Sequence, residues 1–125
     1  MDNVMPTEFD IQSFLSETKK GIQELVAAEW KDYSDEALSD GKAFLEDAKD
    51  DFKRWAQLRV EGKLSNADVI WLVKGKQDVA KLQALKQAGV SLVRLEGFAK
   101  SLIDIVLKTA IDRLENLPSD DAISA

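Results

Sequence analysis

The sequence predicts an all-α protein, an antiparallel bundle of long amphipathic helices, and three observations carry that prediction. The only two prolines, Pro6 and Pro118, bracket nearly the whole 125-residue chain. Between them apolar residues recur three and four apart instead of alternating, and residues such as Ala, Leu, Lys, Glu and Gln dominate. Start and stop signals then cut the pattern into helices at about 8–30, 34–61 and 65–117. Together they form one domain over residues 7–117, with disordered tails at 1–6 and 118–125.

The first helix starts after Thr7, a capping hydroxyl, with Glu8 and Asp10 at the positive end of the dipole. Its apolar line is Ile11, Leu15, Thr18, Ile22, Leu25 and Glu29, thickened by Phe14, Val26 and Trp30. Asp32 and Ser34 are the next capping candidates, with Asp35 and Glu36 behind them, so a boundary falls at residues 31–34. The second helix carries Leu38, Gly41, Leu45, Ala48, Phe52, Trp55 and Arg59 on one line, with Phe44 and Ala56 beside it. Glu46, Asp47, Lys49, Asp50, Lys53 and Arg54 face water.

The clearest junction is Glu61-Gly62-Lys63-Leu64-Ser65. Gly62 suits the left-handed position after a helix, Ser65 and Asp68 stand at capping-box spacing, and Leu64 with Val69 fits a hydrophobic staple. A tight antiparallel turn follows. Beyond it, Gly89 followed by Ser91 is the one candidate break, because Gly21, Gly41, Gly75 and Gly97 sit within helical patterns. Two readings stay open. An unbroken helix over 65–117 is about 80 Å long at ~1.5 Å per residue, and needs a second copy to cover its apolar face. A break near Gly89 gives a four-helix bundle that one chain can close.

After Ser91 the apolar stripe is broad: Leu92, Leu95, Ala99, Leu102, Ile103, Val106, Ala110, Leu114 and Leu117, widened by Val93, Phe98, Ile105, Leu107 and Ile111. Glu96, Lys100, Asp104, Lys108 and Asp112 alternate in sign at spacing four and mark the face left to water. A helix so widely apolar is central to a bundle or to an interface. Leu92, Leu95, Ala99, Leu102, Ile103, Val106, Ala110 and Leu114, together with Trp71, are therefore the candidate interface residues.

Charge is divided along the chain. Residues 1–65 hold nine basic and fifteen acidic side chains, and residues 66–117 hold eight and six. The acidic first half is expected to pack beside Lys74, Lys76, Lys81, Lys86 and Arg94. The net charge of −6 is then the remainder of internal pairing.

Composition limits the chemistry. With no Cys and no His, disulfides, thiolate catalysis, Ser-His-Asp arrangements and His-bearing metal sites are excluded. Asp47, Asp50 and Asp51, and Asp32, Asp35 and Glu36, lack a calcium-loop pattern and read as solvated helix surface. Lys74-Gly75-Lys76 follows no strand and is not a phosphate loop. No catalytic residue, cofactor or metal is assigned, and the chain is not read as an enzyme. The acidic balance argues against nucleic acid. The longest uncharged run, Gln87–Val93, is seven residues, far short of the about 20 of a membrane span, so no integral membrane association is expected. Without a targeting pattern at Met1–Thr7 the expected location is the cytoplasm.

Trp30, Trp55 and Trp71 at helical spacing read as core or interface anchors. The expectation is a soluble, coiled-coil-like, non-catalytic protein that acts through protein–protein contact and self-associates, a homodimer first. Two alternatives remain: binding of lipid or another hydrophobic surface, and a small ligand held between helices near the tryptophans.

Overall fold

A computed structural model describes residues 10–115, and among them every regular element is helical. Five α-helices follow in order: α1 Ile11–Glu29, α2 Ser34–Val60, α3 Asn66–Lys74, α4 Gln83–Gln87 and α5 Leu92–Glu115. Short 3₁₀ turns at Lys31–Tyr33 and Val79–Lys81 join α1 to α2 and α3 to α4. The tails predicted at 1–6 and 118–125 lie outside the described residues, as does Thr7. The cap of α1 is Asp10, whose carboxylate accepts the Ser13 N–H at 3.0 Å.

The all-α class is as the sequence predicts, but the apolar lines are rotated. On α1 the buried line is Phe14, Thr18, Ile22 and Val26, running on to Trp30, while Ile11, Leu15 and Leu25 are half-buried and Glu29 is exposed. Thr18 takes a core position because its hydroxyl donates to the Phe14 carbonyl at 2.9 Å and so needs no other partner. On α2, Ala37 takes the place expected of Leu38, which is exposed.

Residues 65–117 do not form one helix, so the unbroken reading is incorrect. Gly89 has φ +90°, the Val90 N–H bonds back to the Leu85 carbonyl, and the Gly89 N–H to Lys86. Ser91 Oγ then accepts the Arg94 N–H. This repeats the end of α2, where Gly62 at φ +80° lets Lys63 bond to Leu58 and Gly62 to Arg59. Both ends carry the paired bonds of a Schellman motif. The Ser65–Asp68 capping box is present in both directions, at 3.0 and 2.9 Å. A second break, unforeseen in the sequence, separates α3 from α4: Gly75 ends α3 instead of continuing it.

Side-chain pairs fix how the segments lie. Phe14 meets Phe52 edge-on at 5.9 Å, and Gly41 receives Ile22 so closely that a Cβ there would stand 2.8 Å from its methyl. Gly21 meets Ile105 and Glu17 meets Arg113 across α1 and α5, and Asp32 in the turn after α1 meets Arg94 of α5. Asp51 meets Lys76 and Asp47 meets Lys81 across α2 and the α3–α4 stretch. One apolar cluster runs through all five helices, with Phe14, Leu85, Phe98 and Leu102 almost fully buried. Each such side chain contributes roughly 1.5–3 kcal/mol by leaving water.

Candidate functional site

The interface predicted on α5 is divided between interior and surface. Leu95, Ala99, Leu102, Ile103, Val106 and Ala110 are 0–6% exposed and packed within the chain's own cluster. In this closed form they are covered by the chain's own side chains. The breadth of the stripe has another cause: α5 packs against α1, α2 and α3, so three of its sides are covered. Leu92 is 59% exposed at the start of α5, and Trp71 is 76% exposed on α3. The structure does not bring these two together with the buried six as one surface. The Leu114 side chain lies outside the described residues.

The predicted pairing of acidic and basic segments is present at three points. Lys76 and Arg54 share Asp51, Lys81 bonds Asp47 at 2.7 Å, and Arg94 forks onto Asp32 at 2.8 and 3.3 Å. These hydrogen bonds hold the carboxyls of Asp51, Asp47 and Asp32 below the usual range. Arg94 also lies 4.2 Å from the ring centre of Trp30, which packs in turn against Phe98. Of the acidic clusters noted in the sequence, Asp47, Asp51 and Asp32 are thus paired with cations. Among the described residues no three carboxylates stand together as a metal site.

One structural position escaped the sequence reading. Asp40 on α2 is only 5% exposed, and its two oxygens accept the N–H groups of Ala84 and Leu85 at 3.0 and 2.8 Å. These are orphan donors in the first turn of α4, whose own preceding residue, Leu82, supplies no side-chain cap. Asp40 therefore caps a helix more than forty residues away in sequence. The available signal was an acid on the core line of α2, between Ala37 and Gly41.

The tryptophans have three different settings. Trp30 is core. Trp55 is half-buried, and behind it, between Phe14, Phe52, Val69, Val73 and Val106, lies a void of about 20 Å³. That holds about one water molecule, against the hundreds of Å³ of a ligand pocket. In front of Trp55 is an open groove of about 550 Å³ formed with Trp71, Leu72, Lys74, Gly75 and Lys76. Lys76 sits 5.7 Å over the Trp55 ring while bonding Asp51. Trp71 projects outward because Val69 and Val73, two residues to either side, take the core face of α3. No described helix is long and apolar enough to cross a membrane. Comparison with known proteins finds no matching family model, no matching curated protein and no matching solved structure.

Proposed function

We propose that the chain is a non-catalytic helical protein, a single-domain antiparallel bundle with α3 and α4 as its third segment, that works by protein–protein contact through the outer face of α3. The observation that carries this reading is Trp71: the largest side-chain type in proteins, 76% exposed on a helix whose other face is fully engaged in the core. Exposed tryptophan is costly to keep in water and is enriched among residues that dominate interfaces.

A photo-crosslinking residue placed at position 71, and separately at the exposed Gln57 of α2, tests it in the cells that make the protein. A partner captured at 71 and absent at 57 is the expected result. Equal capture at both positions, or none at 71, would overturn the reading.

A second reading, self-association, is supported by Leu92 and Val93, 59% and 78% exposed at the start of α5. Light scattering across a concentration series, with Val93→Glu as comparison, tests it. A concentration-dependent dimer abolished by Val93→Glu is expected, and a strict monomer would remove it.

A further inference from the structure

The groove before Trp55 and Trp71 has a charge character opposite to that of the whole chain. The protein carries a net charge of −6, yet the rim here is cationic. Lys74 is exposed and makes no ion pair among the described residues. Lys76 and Arg54 share a single carboxylate, Asp51. The groove is thus lined by two cations and no acid, and the carboxylate that bonds Lys76 is divided with Arg54. With a Debye length of about 8 Å at physiological salt, the lining charges count for more at the groove than the acids beyond it. The floor is aromatic, and Asp51 helps hold it by fixing Lys76 over the Trp55 ring. Trp71 forms the projecting wall, exposed because its neighbours Val69 and Val73 are committed to the core.

Resting on the reading that α3 is the contact face, we propose that this groove docks an acidic polypeptide segment bearing one large apolar side chain. The apolar group lies between the two tryptophans, where it removes Trp71 from water. The acidic flanks meet Lys74 and the outer side of Lys76. An aromatic anchor supplies most of the affinity in such a contact, and the rim charges set the choice of partner and the association rate. A basic or uncharged segment gains the first contribution without the second. A purely acidic one gains the second without the first.

The test uses the full chain and a dye-labelled poly-Glu peptide with one central Phe, read by fluorescence anisotropy. Its comparison peptides carry Lys in place of Glu, or Ser in place of Phe. The expected result is binding of the first peptide at least about tenfold tighter than of either comparison, weakening as salt rises. Trp71→Ala and Lys74→Glu each reduce that affinity by at least about tenfold, with unchanged thermal unfolding because both side chains are exposed.

Equal binding of the three peptides, no binding of the first, or indifference to both substitutions would overturn the proposal. So would a dimer dissolved by Trp71→Ala, which would make a second copy the occupant, or Trp71-dependent flotation with phosphatidylglycerol vesicles, which would make it a lipid surface. If the acidic peptide fails while crosslinking at position 71 still captures a protein, the contact face stands and its acidic partner falls. If crosslinking fails as well, both fall.

Discussion

Helix α2 and the stretch from α3 to α4 span similar lengths of chain, face each other, and are built in opposite ways. Over Ser34–Val60 the chain forms one uninterrupted helix of 27 residues. Over Asn66–Gln87 it forms helices of nine and five residues with a looped passage between them. Local signals suffice for α2: acids in its first turn, Arg59 in its last, a continuous core line and a glycine stop. The partner stretch depends on α2 itself. Asp40 caps α4, Asp47 holds Lys81 beside the second 3₁₀ turn, and Asp51 holds Lys76 just after α3. A helix of five residues is far too short to persist alone, so α4 exists because it is docked. The lesson is that one segment acts as template and the other is assembled on it.

Cutting α4 from the core tests that asymmetry most severely. Leu85 is fully buried, and Leu85→Ala is expected to cost about 2–5 kcal/mol, measured by denaturant unfolding. Hydrogen exchange is expected to show residues 76–91 opening first while α2 keeps its protection. Uniform loss of protection along both segments would mean that the two are one cooperative unit and the contrast is only geometric.

Removing the cap comes next. Asp40→Ala leaves the N–H groups of Ala84 and Leu85 buried without their acceptors and is expected to cost about 2–4 kcal/mol in the same measurement. Asp40→Asn keeps one acceptor oxygen and should lose less than half as much. Equal losses would point to packing around the side chain, and no loss would show that water replaces the carboxylate.

This difference between segments also decides what was legible in the sequence. The end of α2 and the start of α3 were readable, and the break before α5 was one of two readings left open, since Gly62, Ser65 with Asp68, and Gly89 with Ser91 act on amides and carbonyls within a few residues. The break after Lys74 was not. Gly75 has an ordinary helical φ of −66°, so its conformation gives no stop, and the pull on residues 76–87 comes from Asp40, Asp47 and Asp51 on another helix. The same holds for function. The width of the α5 stripe was readable, but the identity of what covers it required knowing that α1, α2 and α3 all lie against it. The outward aim of Trp71 was within reach, because Val69 and Val73 share a helix face that Trp71 cannot share.

A smaller effect is expected at the turn closing the docked stretch. Gly89→Ala forces an L-residue to φ +90° and is expected to cost about 1–2 kcal/mol, seen as a lowered unfolding midpoint. The void around that position is open, so backbone strain is the sole cause. A neutral result would show that the end of α4 relaxes at no expense, as expected of a segment that follows its template.

The ion pairs linking the two segments should respond to pH in a defined direction. Asp47 and Asp51 are held below their ordinary pKa of 3.8 by bonds to Lys81 and Lys76. A carboxyl with a lower pKa folded than unfolded contributes above about pH 4, and that contribution disappears as pH falls through the folded-state value. Lys81, raised above its ordinary 10.5 by Asp47, contributes below that value and loses its contribution as pH rises past it. Asp47→Asn combined with Asp51→Asn is thus expected to lower the melting temperature slightly near neutrality, and by progressively less as the pH falls through the folded-state values, which lie below 3.8. A gap that widens in acid would reverse the assignment. The Lys81–Asp47 pair is exposed and the Lys76–Asp51 pair only half-buried, so the effect stays small and shrinks with salt.

Trp71→Ala gives the smallest expected change in stability, within about 0.5 kcal/mol, and for that reason it separates the two faces of α3 most sharply. Val73, two residues away, is 2% exposed, and Val73→Ala removes buried methyls and leaves a space beside the void already present. Paired melting curves of these two variants should therefore diverge: Val73→Ala clearly lowered, Trp71→Ala superimposed on the parent. If Trp71→Ala were equally destabilising, its ring would belong to the fold, and the groove it shares with Trp55 would be a by-product of packing. If it melts like the parent, a side chain that burial would reward is left in water, contributing nothing to the folded chain. That surplus is available to whatever covers it, and the cationic rim of Lys74 and Lys76 narrows what that is.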